Sequence, residues 1–147
     1  MKLVPPGADC ANCPLNNPES GDGPVMARPN KRAKLAIVGQ EPGFDELLEG
    51  EPFVGRSGRS LDRALDDFDI RRQTDTYVTN ARCCVPKRKL TAEEDHQSYV
   101  ACRQRLYNEL EKVQARVVVA LGAGALKSLT VEQIQNFANF AHCYLAE

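Results

Sequence analysis

Residues 35–58, LAIVGQEPGFDELLEGEPFVGRSG, combine a buried-strand pattern with two glycine-containing loops. The apolar run at 33–39 ends in a glycine, which is typical of a short strand buried on both faces of a sheet. A turn with Pro42 and Gly43 follows, then an acidic segment, and then a second glycine-flanked loop with Phe53 at its centre. Because functional groups often lie on loops and glycine permits close approach to the backbone, the stretch predicts a strand that leads into a ligand-binding loop.

The rest of the sequence repeats this alternation of strand and helix. Further strands are predicted at 75–81 and 115–122, and helices at 57–70, 91–113, 123–129 and 131–145. Leu61, Leu65 and Phe68 form the apolar face of the first helix, and Thr91 caps the second. Strands that alternate with helices form a parallel sheet covered by helices on both faces. The expected fold is therefore α/β, with three α/β/α layers around a central parallel sheet and ligands at the carboxyl ends of the strands.

Length and composition indicate one ordinary globular domain. A chain of 147 residues is expected to form a single domain, with 34–147 as its α/β body. Six prolines predict an irregular segment at 1–33. The hydrophobic content of 42% and charged content of 27% argue against a disordered or collagen-like chain. No apolar run reaches signal-peptide or membrane-spanning length, so we expect no membrane association and a cytoplasmic location.

The charge pattern restricts how the protein meets nucleic acid. A net charge of −1 argues against a tail that coats nucleic acid by charge alone. The local basic run of Lys87, Arg88 and Lys89 nevertheless offers phosphate contacts, which position a protein on DNA without requiring chemistry.

Clustered cysteines in a reducing compartment more often bind metal than form disulfides. Cys10 and Cys13 form a C-x2-C pair in a proline-rich loop, Cys84 follows the second strand, and Cys102 lies in the next helix. Four thiolates suit either zinc or a [4Fe-4S] cluster. The wide separation of Cys84 from Cys102 favours the cluster over a zinc ribbon, with zinc as the alternative. For a single cysteine such as Cys102, burial as a small apolar residue is an equal alternative.

The loops at the strand ends suggest a slot for a flat heterocycle. The turn at 39–43 matches neither phosphate-binding glycine motif, but its backbone N–H groups can bind a carbonyl oxygen. Phe53 offers a ring face for stacking, and Asn80 carries the donor and the acceptor that match a pyrimidine edge. Each residue alone also fits a structural role, Phe53 in the core and Asn80 in a turn. Together they favour a base-binding pocket.

Five motifs taken together resemble the iron–sulfur, family-four uracil-DNA glycosylases. They are VGQEPG at 38–43, GEPFVGRSG at 50–58, YVTNARCCVP at 77–86, AC at 101–102 and VVVALGAGA at 117–125. The resemblance spans about residues 10–129. It implies an α/β/α fold and a protein that removes uracil, or another altered base, from single- or double-stranded DNA by hydrolysing the N-glycosidic bond in base excision repair. We expect it to act as a monomer.

The resemblance also implies roles for individual residues. The cluster ligands would be Cys10, Cys13, Cys84 and Cys102. Phe53 would stack on a flipped uracil and Asn80 would read its edge, in a pocket with Gly39, Pro42 and Gly43. Cleavage passes through an oxocarbenium-like sugar, so the protein must stabilise negative charge on the base and position a water molecule. The candidates for these catalytic tasks are Gln40, Glu41, Asp45 and Glu46.

Two departures from the family pattern bear on catalysis. The family's first motif reads Gly-Glu-(Ala/Gly)-Pro-Gly, whereas Gln40 and Glu41 stand here, and a carboxylate at Glu41 is expected to crowd the base or repel its developing charge. The family's histidine motif lies on a fourth strand, and His142 does not match it in a sequence that ends at Glu147. We therefore predict either a short or divergent glycosylase with a truncated C-terminus, or a catalytically degenerate module that binds DNA or a protein partner.

Overall fold

The computed structural model describes residues 3–130 and the backbone of residues 143–146. Its main strands are β2 (Leu35–Gly39), β3 (Thr76–Asn80), β5 (Val117–Leu121) and β6 (Cys143–Ala146). They form one parallel sheet in the order β3-β2-β5-β6. Two short strands, β1 (Gly21–Asp22) and β4 (Val85–Pro86), form a separate antiparallel pair.

Helices follow the strands in the predicted alternation. They are α1 (Phe44–Glu49), α2 (Arg56–Asp66), α3 (Arg72–Asp75), α4 (Ala92–Val113) and α5 (Ala123–Leu129). Thr91 caps α4 through a capping box with Glu94, as the sequence predicts. The three-layer α/β/α prediction is confirmed.

The central strand β2 lies between β3 and β5 and is buried along almost its whole length. Ala36 and Val38 are fully buried and pack in one core with Leu106 and Leu110 of α4. Gly39 is in register with Asn80 at the carboxyl ends of β2 and β3. The sheet thus brings the loops that follow its strands to one edge.

The structure differs from the sequence-based predictions in three segments. The helix predicted at 57–70 ends at Asp66, and Phe68 is 76% exposed because the N–H groups of Phe68 and Ile70 both turn back to the carbonyl of Leu65. Helix α1 was not predicted from the acidic segment. The helix predicted at 131–145 is wrong for 143–145, which pair as a strand with β5, while residues 131–142 lie outside the described part of the chain.

The N-terminal segment is irregular but packed against the body. Two 3-10 turns, Cys10–Asn12 and Pro14–Asn16, interrupt it, and Leu15 is buried. The Asp9 N–H donates to the carbonyl of Ala101 in α4 at 2.8 Å. This hydrogen bond joins the N-terminal segment to α4. No helix in the described residues has the length and apolarity needed to cross a bilayer.

Candidate functional site

An open pocket of about 760 Å³ lies at the carboxyl edge of β2 and β3. Its walls come from the loop after β2, helix α1, the loop before α2 and the first turns of α2. Every residue predicted for catalysis or base binding lines it: Gly39, Gln40, Glu41, Pro42, Gly43, Asp45, Glu46, Phe53 and Asn80. The parallel sheet brings them together because β2 and β3 end at the same level.

The side chains of Phe53 and Asn80, the two candidates for base recognition, both lie close to Gly39. A Cβ atom at Gly39 would lie 2.5 Å from Cζ of Phe53 and 2.5 Å from Oδ1 of Asn80. No side chain fits in that space. Glycine at this position is therefore what lets the aromatic ring and the amide share one small area of the pocket.

Phe53 has a backbone conformation that is uncommon for an aromatic residue, with φ of 59°. Its carbonyl accepts a hydrogen bond from the Arg72 guanidinium. The same carbonyl would lie 1.7 Å from a Cβ atom at Gly58 in α2, so only glycine fits there as well. These contacts hold the loop so that the half-buried ring lines the pocket.

Asn80 presents an amide without a protein partner. The residue is 4% exposed and lines the pocket, and its side chain forms no hydrogen bond with another residue in the described ranges. Its backbone carbonyl accepts from Arg105, which also donates to Thr79 and is paired with Glu109 at 2.8 Å. The end of β3 is thus held from behind while the amide remains available to a ligand.

Glu46 connects the two glycine-rich loops. Its buried carboxylate accepts from the Gly43 N–H and from the Gly55 N–H, each at 2.9 Å. Each carboxylate oxygen therefore has a backbone partner. The contacts fix the first turn of α1 against the start of α2.

Glu41 is held by a buried arginine. The Arg82 guanidinium donates to it through Nε at 2.7 Å and also through Nη2. Arg82 donates in addition to Asp95 and Ser98, and lies 4.5 Å from the centre of the Tyr99 ring. Burial opposes the charged form of Arg82, but the Glu41 hydrogen bond raises its pKa overall. The sequence-based expectation that Glu41 repels the charge developing on the base did not take the Arg82 cation into account.

The remaining two catalytic candidates face the pocket differently. Gln40 is exposed, and its Oε1 accepts from the Gly124 N–H of α5 at 2.7 Å. This bond joins the loop after β2 to the first turn of α5. Asp45 is exposed, and its carboxylate forms no hydrogen bond or ion pair within the described part of the chain.

The four predicted metal ligands line a second, much smaller cavity of about 20 Å³, partly open to solvent. They are Cys10, Cys13, Cys84 and Cys102, and the other walls include Cys83 and the apolar side chains of Leu3, Pro5, Ala8, Leu15 and Ala101. The N-terminal segment, the loop after β3 and α4 each contribute to it. Sequence positions as far apart as 10 and 102 thus meet in one place.

The chemistry of this cavity suits thiolate ligands. A hydrogen bond from the Cys83 thiol lowers the pKa of Cys102, and the Arg105 guanidinium acts in the same direction. A thiolate is the form that binds iron or zinc. Among residues 3–130, however, no group of three or more His, Cys, Asp or Glu side chains is arranged to hold a metal ion. Four cysteines at one cavity are a donor set that either zinc or an iron–sulfur cluster takes.

The predicted phosphate contacts lie away from the pocket. None of Lys87, Arg88 and Lys89 lines it, although all three are exposed. Lys87 pairs with Asp22 at 3.0 Å, and Arg88 pairs with Glu94 through both terminal nitrogens. Two of the three charges are therefore already compensated within the protein.

Comparison with known proteins identifies the relatives of this chain. The family model described as the uracil DNA glycosylase superfamily matches residues 27–144. The Type-4 uracil-DNA glycosylase of Archaeoglobus fulgidus is 36% identical over 115 residues, which cover 77% of this chain and 54% of that protein. The Type-4 uracil-DNA glycosylase of Thermotoga maritima is 36% identical over 117 residues, covering 80% of this chain and 58% of that protein.

A third relative is more distant. The Type-4 uracil-DNA glycosylase of Saccharolobus solfataricus is 30% identical over 117 residues, covering 77% of this chain and 50% of that protein. The chain thus spans about half the length of the curated relatives it matches. Since the matched residues make up most of the chain and coincide with its sheet and its pocket, the protein belongs to the uracil DNA glycosylase superfamily.

Proposed function

We propose that the protein removes uracil from DNA by hydrolysing its N-glycosidic bond. The observation that carries this proposal is the convergence of the Phe53 ring and the Asn80 amide over Gly39 at the edge of the sheet. The names of the relatives, which are uracil-DNA glycosylases, agree with a pocket of this kind.

Base recognition follows from these two side chains. Extruding a base from DNA costs a few kcal/mol, and stacking on an aromatic ring returns about 1–3 kcal/mol. The Asn80 amide offers one donor group and one acceptor, which complement a carbonyl and the adjacent N–H on the uracil edge. Burial of Asn80 means that an unsuitable base would leave this amide unpaired, which disfavours its binding.

Chemistry at the bound base requires stabilisation of negative charge and an oriented water molecule. In the described residues, the backbone N–H groups of Gln40 and Glu41 have no hydrogen-bond acceptor. In our proposal they donate to the uracil oxygen as charge develops on it. The exposed Asp45 carboxylate orients the water. Glu46 and Glu41, bonded to backbone N–H groups and to Arg82, position the loops instead of reacting.

We also propose that Cys10, Cys13, Cys84 and Cys102 hold a [4Fe-4S] cluster, with zinc as the alternative. Such a cluster is bound by four thiolates, and these four line one cavity. When bound, it would supply folding free energy by joining the N-terminal segment to α4 and to the loop after β3. Measurement of iron, acid-labile sulfide and zinc in the purified protein distinguishes the two groups.

The cleavage activity is testable with labelled oligonucleotides that contain one uracil, single-stranded and paired with guanine or adenine. We expect cleavage at uracil and none at thymine. Asn80→Ala and Phe53→Ala should each lower the rate at least tenfold, since each removes a contact to the base. Phe68→Ala alters an equally bulky side chain that does not line the pocket and should keep the rate.

Two results would overturn the proposal. The first is an absence of uracil release at excess enzyme by folded protein that carries its metal group, which would leave a DNA-binding module. The second is cleavage that Asn80→Ala and Phe53→Ala leave unchanged, which would place the active site elsewhere.

A further inference from the structure

Helix α1 exposes two large apolar side chains, and one of them lies at the mouth of the pocket. Phe44 and Leu48 lie four residues apart in α1, so they share one helix face, and each is 72% exposed. Phe44 lines the pocket itself. Exposure of a large aromatic ring beside a binding pocket costs hydration free energy that a ligand can recover.

Two arginines lie in the first turn of α2, and one of them lies at the same mouth. Arg56 and Arg59 belong to the first turn of α2, and Arg56 lines the pocket together with Ser57 and Ser60. Both arginines are exposed. Neither guanidinium forms a hydrogen bond or an ion pair with any residue that the structure describes. They differ in this from Lys87 and Arg88, whose charges are paired.

The acids of the pocket do not neutralise these arginines. Glu41 is paired with Arg82, and Glu46 is bonded to backbone N–H groups. Asp45 is the remaining carboxylate among the pocket-lining residues. An anionic ligand is therefore the expected partner of Arg56 and Arg59, because arginine binds phosphate oxygens through paired donors.

We propose that a DNA strand crosses this mouth, with Arg56 and Arg59 at its phosphates and Phe44 stacked on the base next to the extruded one. The inference rests on the proposed function, because it takes the extruded base to be in the Phe53 pocket. Exposed arginines next to an exposed aromatic ring fit a strand that carries phosphates and base faces in alternation. Stacking by Phe44 replaces part of the stacking that the neighbouring base loses.

The test of the arginines uses a fluorescein-labelled single strand made only of thymine, with affinity measured by anisotropy at several salt concentrations. Each phosphate contact to a single strand contributes about 0.7 to the slope of log affinity against log salt. The double variant R56Q/R59Q should therefore reduce the slope by about 1.4. The matched control K34Q/R116Q removes the same charge from exposed residues that precede β2 and β5, at the opposite edge of the sheet, and should leave the slope unchanged.

The test of the aromatic ring uses the same strand at one salt concentration. Phe44→Ala should weaken binding about fivefold or more, which is the loss expected for one stacked base. Phe68→Ala is the matched control, since this ring is exposed to a similar degree but lies beyond the end of α2. Unfolding midpoints of the four variants check that the fold is retained.

The outcomes separate this inference from the proposed function. Because the thymine strand contains no uracil, its binding does not depend on cleavage. Uracil cleavage with unchanged slope and affinity in R56Q/R59Q and Phe44→Ala would overturn the inference and leave the proposed function standing. Reduced slope and affinity in a protein that does not cleave uracil would support the strand path and overturn the proposed function. An equal loss in the control variants would also overturn the inference.

Discussion

A short stretch of chain, residues 80–84, contributes to both the base pocket and the cysteine cavity. Asn80 ends β3 and lines the pocket, whereas Cys84, four residues further on, lines the cavity. Arg82 lies between them, bonded to Glu41 of the pocket loop and lining the cysteine cavity. The pocket is more open and has polar groups among its walls, while the cavity has largely apolar walls.

The two regions differ in how far apart their residues lie in the sequence. Most of the pocket comes from residues 39–64, a strand, its loop and the next two helices. The cavity collects cysteines from position 10 to position 102. Local chain geometry therefore forms most of the pocket, whereas the cavity depends on long-range packing. Substitutions in the cavity should accordingly affect stability first, and those in the pocket should affect recognition first.

The largest effect is expected for Cys13→Ser. Loss of one ligand should release the proposed cluster and lower the unfolding free energy by about 5 kcal/mol or more, because the binding free energy of a structural metal group is folding free energy. Iron content and denaturant unfolding measure this. Cys83→Ala changes a cysteine outside the proposed ligand set and should retain iron. If Cys13→Ser kept both iron and stability, the contrast between cavity and pocket would fail.

The next largest effect is expected for Arg82→Met. Its guanidinium is almost fully buried and pairs with Glu41, whose carboxylate is more than a third exposed, so loss of the charged hydrogen bonds should cost about 2–3 kcal/mol of unfolding free energy. A double-mutant cycle with Glu41→Gln measures the coupling of the two residues. Strict additivity of the two substitutions would show that this pair does not link the two regions.

A smaller effect is expected for Gly39→Ala. The new methyl group would collide with both Phe53 and Asn80, which should cost about 1–3 kcal/mol and slow uracil cleavage about 10- to 100-fold. Gly50→Ala is the control: its φ of 72° strains alanine by about 1 kcal/mol, but a Cβ atom there meets nothing within 4 Å. The control should therefore lose stability and keep its cleavage rate, measured on the same oligonucleotide.

The smallest effect is expected at the surface, for Glu94→Gln. A hydrogen bond from Arg88 lowers the pKa of Glu94 to about 2, so the ionised carboxylate stabilises the folded state above its ordinary pKa near 4.5. This contribution should disappear as pH falls through about 2. Glutamine keeps the capping box without the charge. The stability difference between the two proteins, measured from pH 6 to pH 2, should be present at the upper end and vanish at the lower end.

Much of the fold was predictable because strand and helix periodicities are local. The runs at β2, β3 and β5 and the Thr91 cap of α4 were identified within one or two residues. Errors arose where a segment was short or ambiguous. Six residues are too few for a clear helical period in α1, and the apolar residues at 143–146 suit helix and strand equally until a neighbouring strand is present. Phe68 has the sequence spacing of an apolar helix face, but α2 ends at Asp66, before this residue.

The residues of the pocket were readable from the sequence, since parallel strands carry their loops to one edge whatever the details of packing. Their contacts were not. These contacts depend on groups that meet only in the folded chain. Arg82 pairs with Glu41, Glu46 binds two backbone N–H groups, and two charges of the basic run are paired. Local patterns in the sequence were enough to predict the three buried strands and the chemical groups at the sheet edge. Which of those groups remain available to a ligand depends on the folded arrangement, because a partner for a charge is found by distance in space and not by position in the chain.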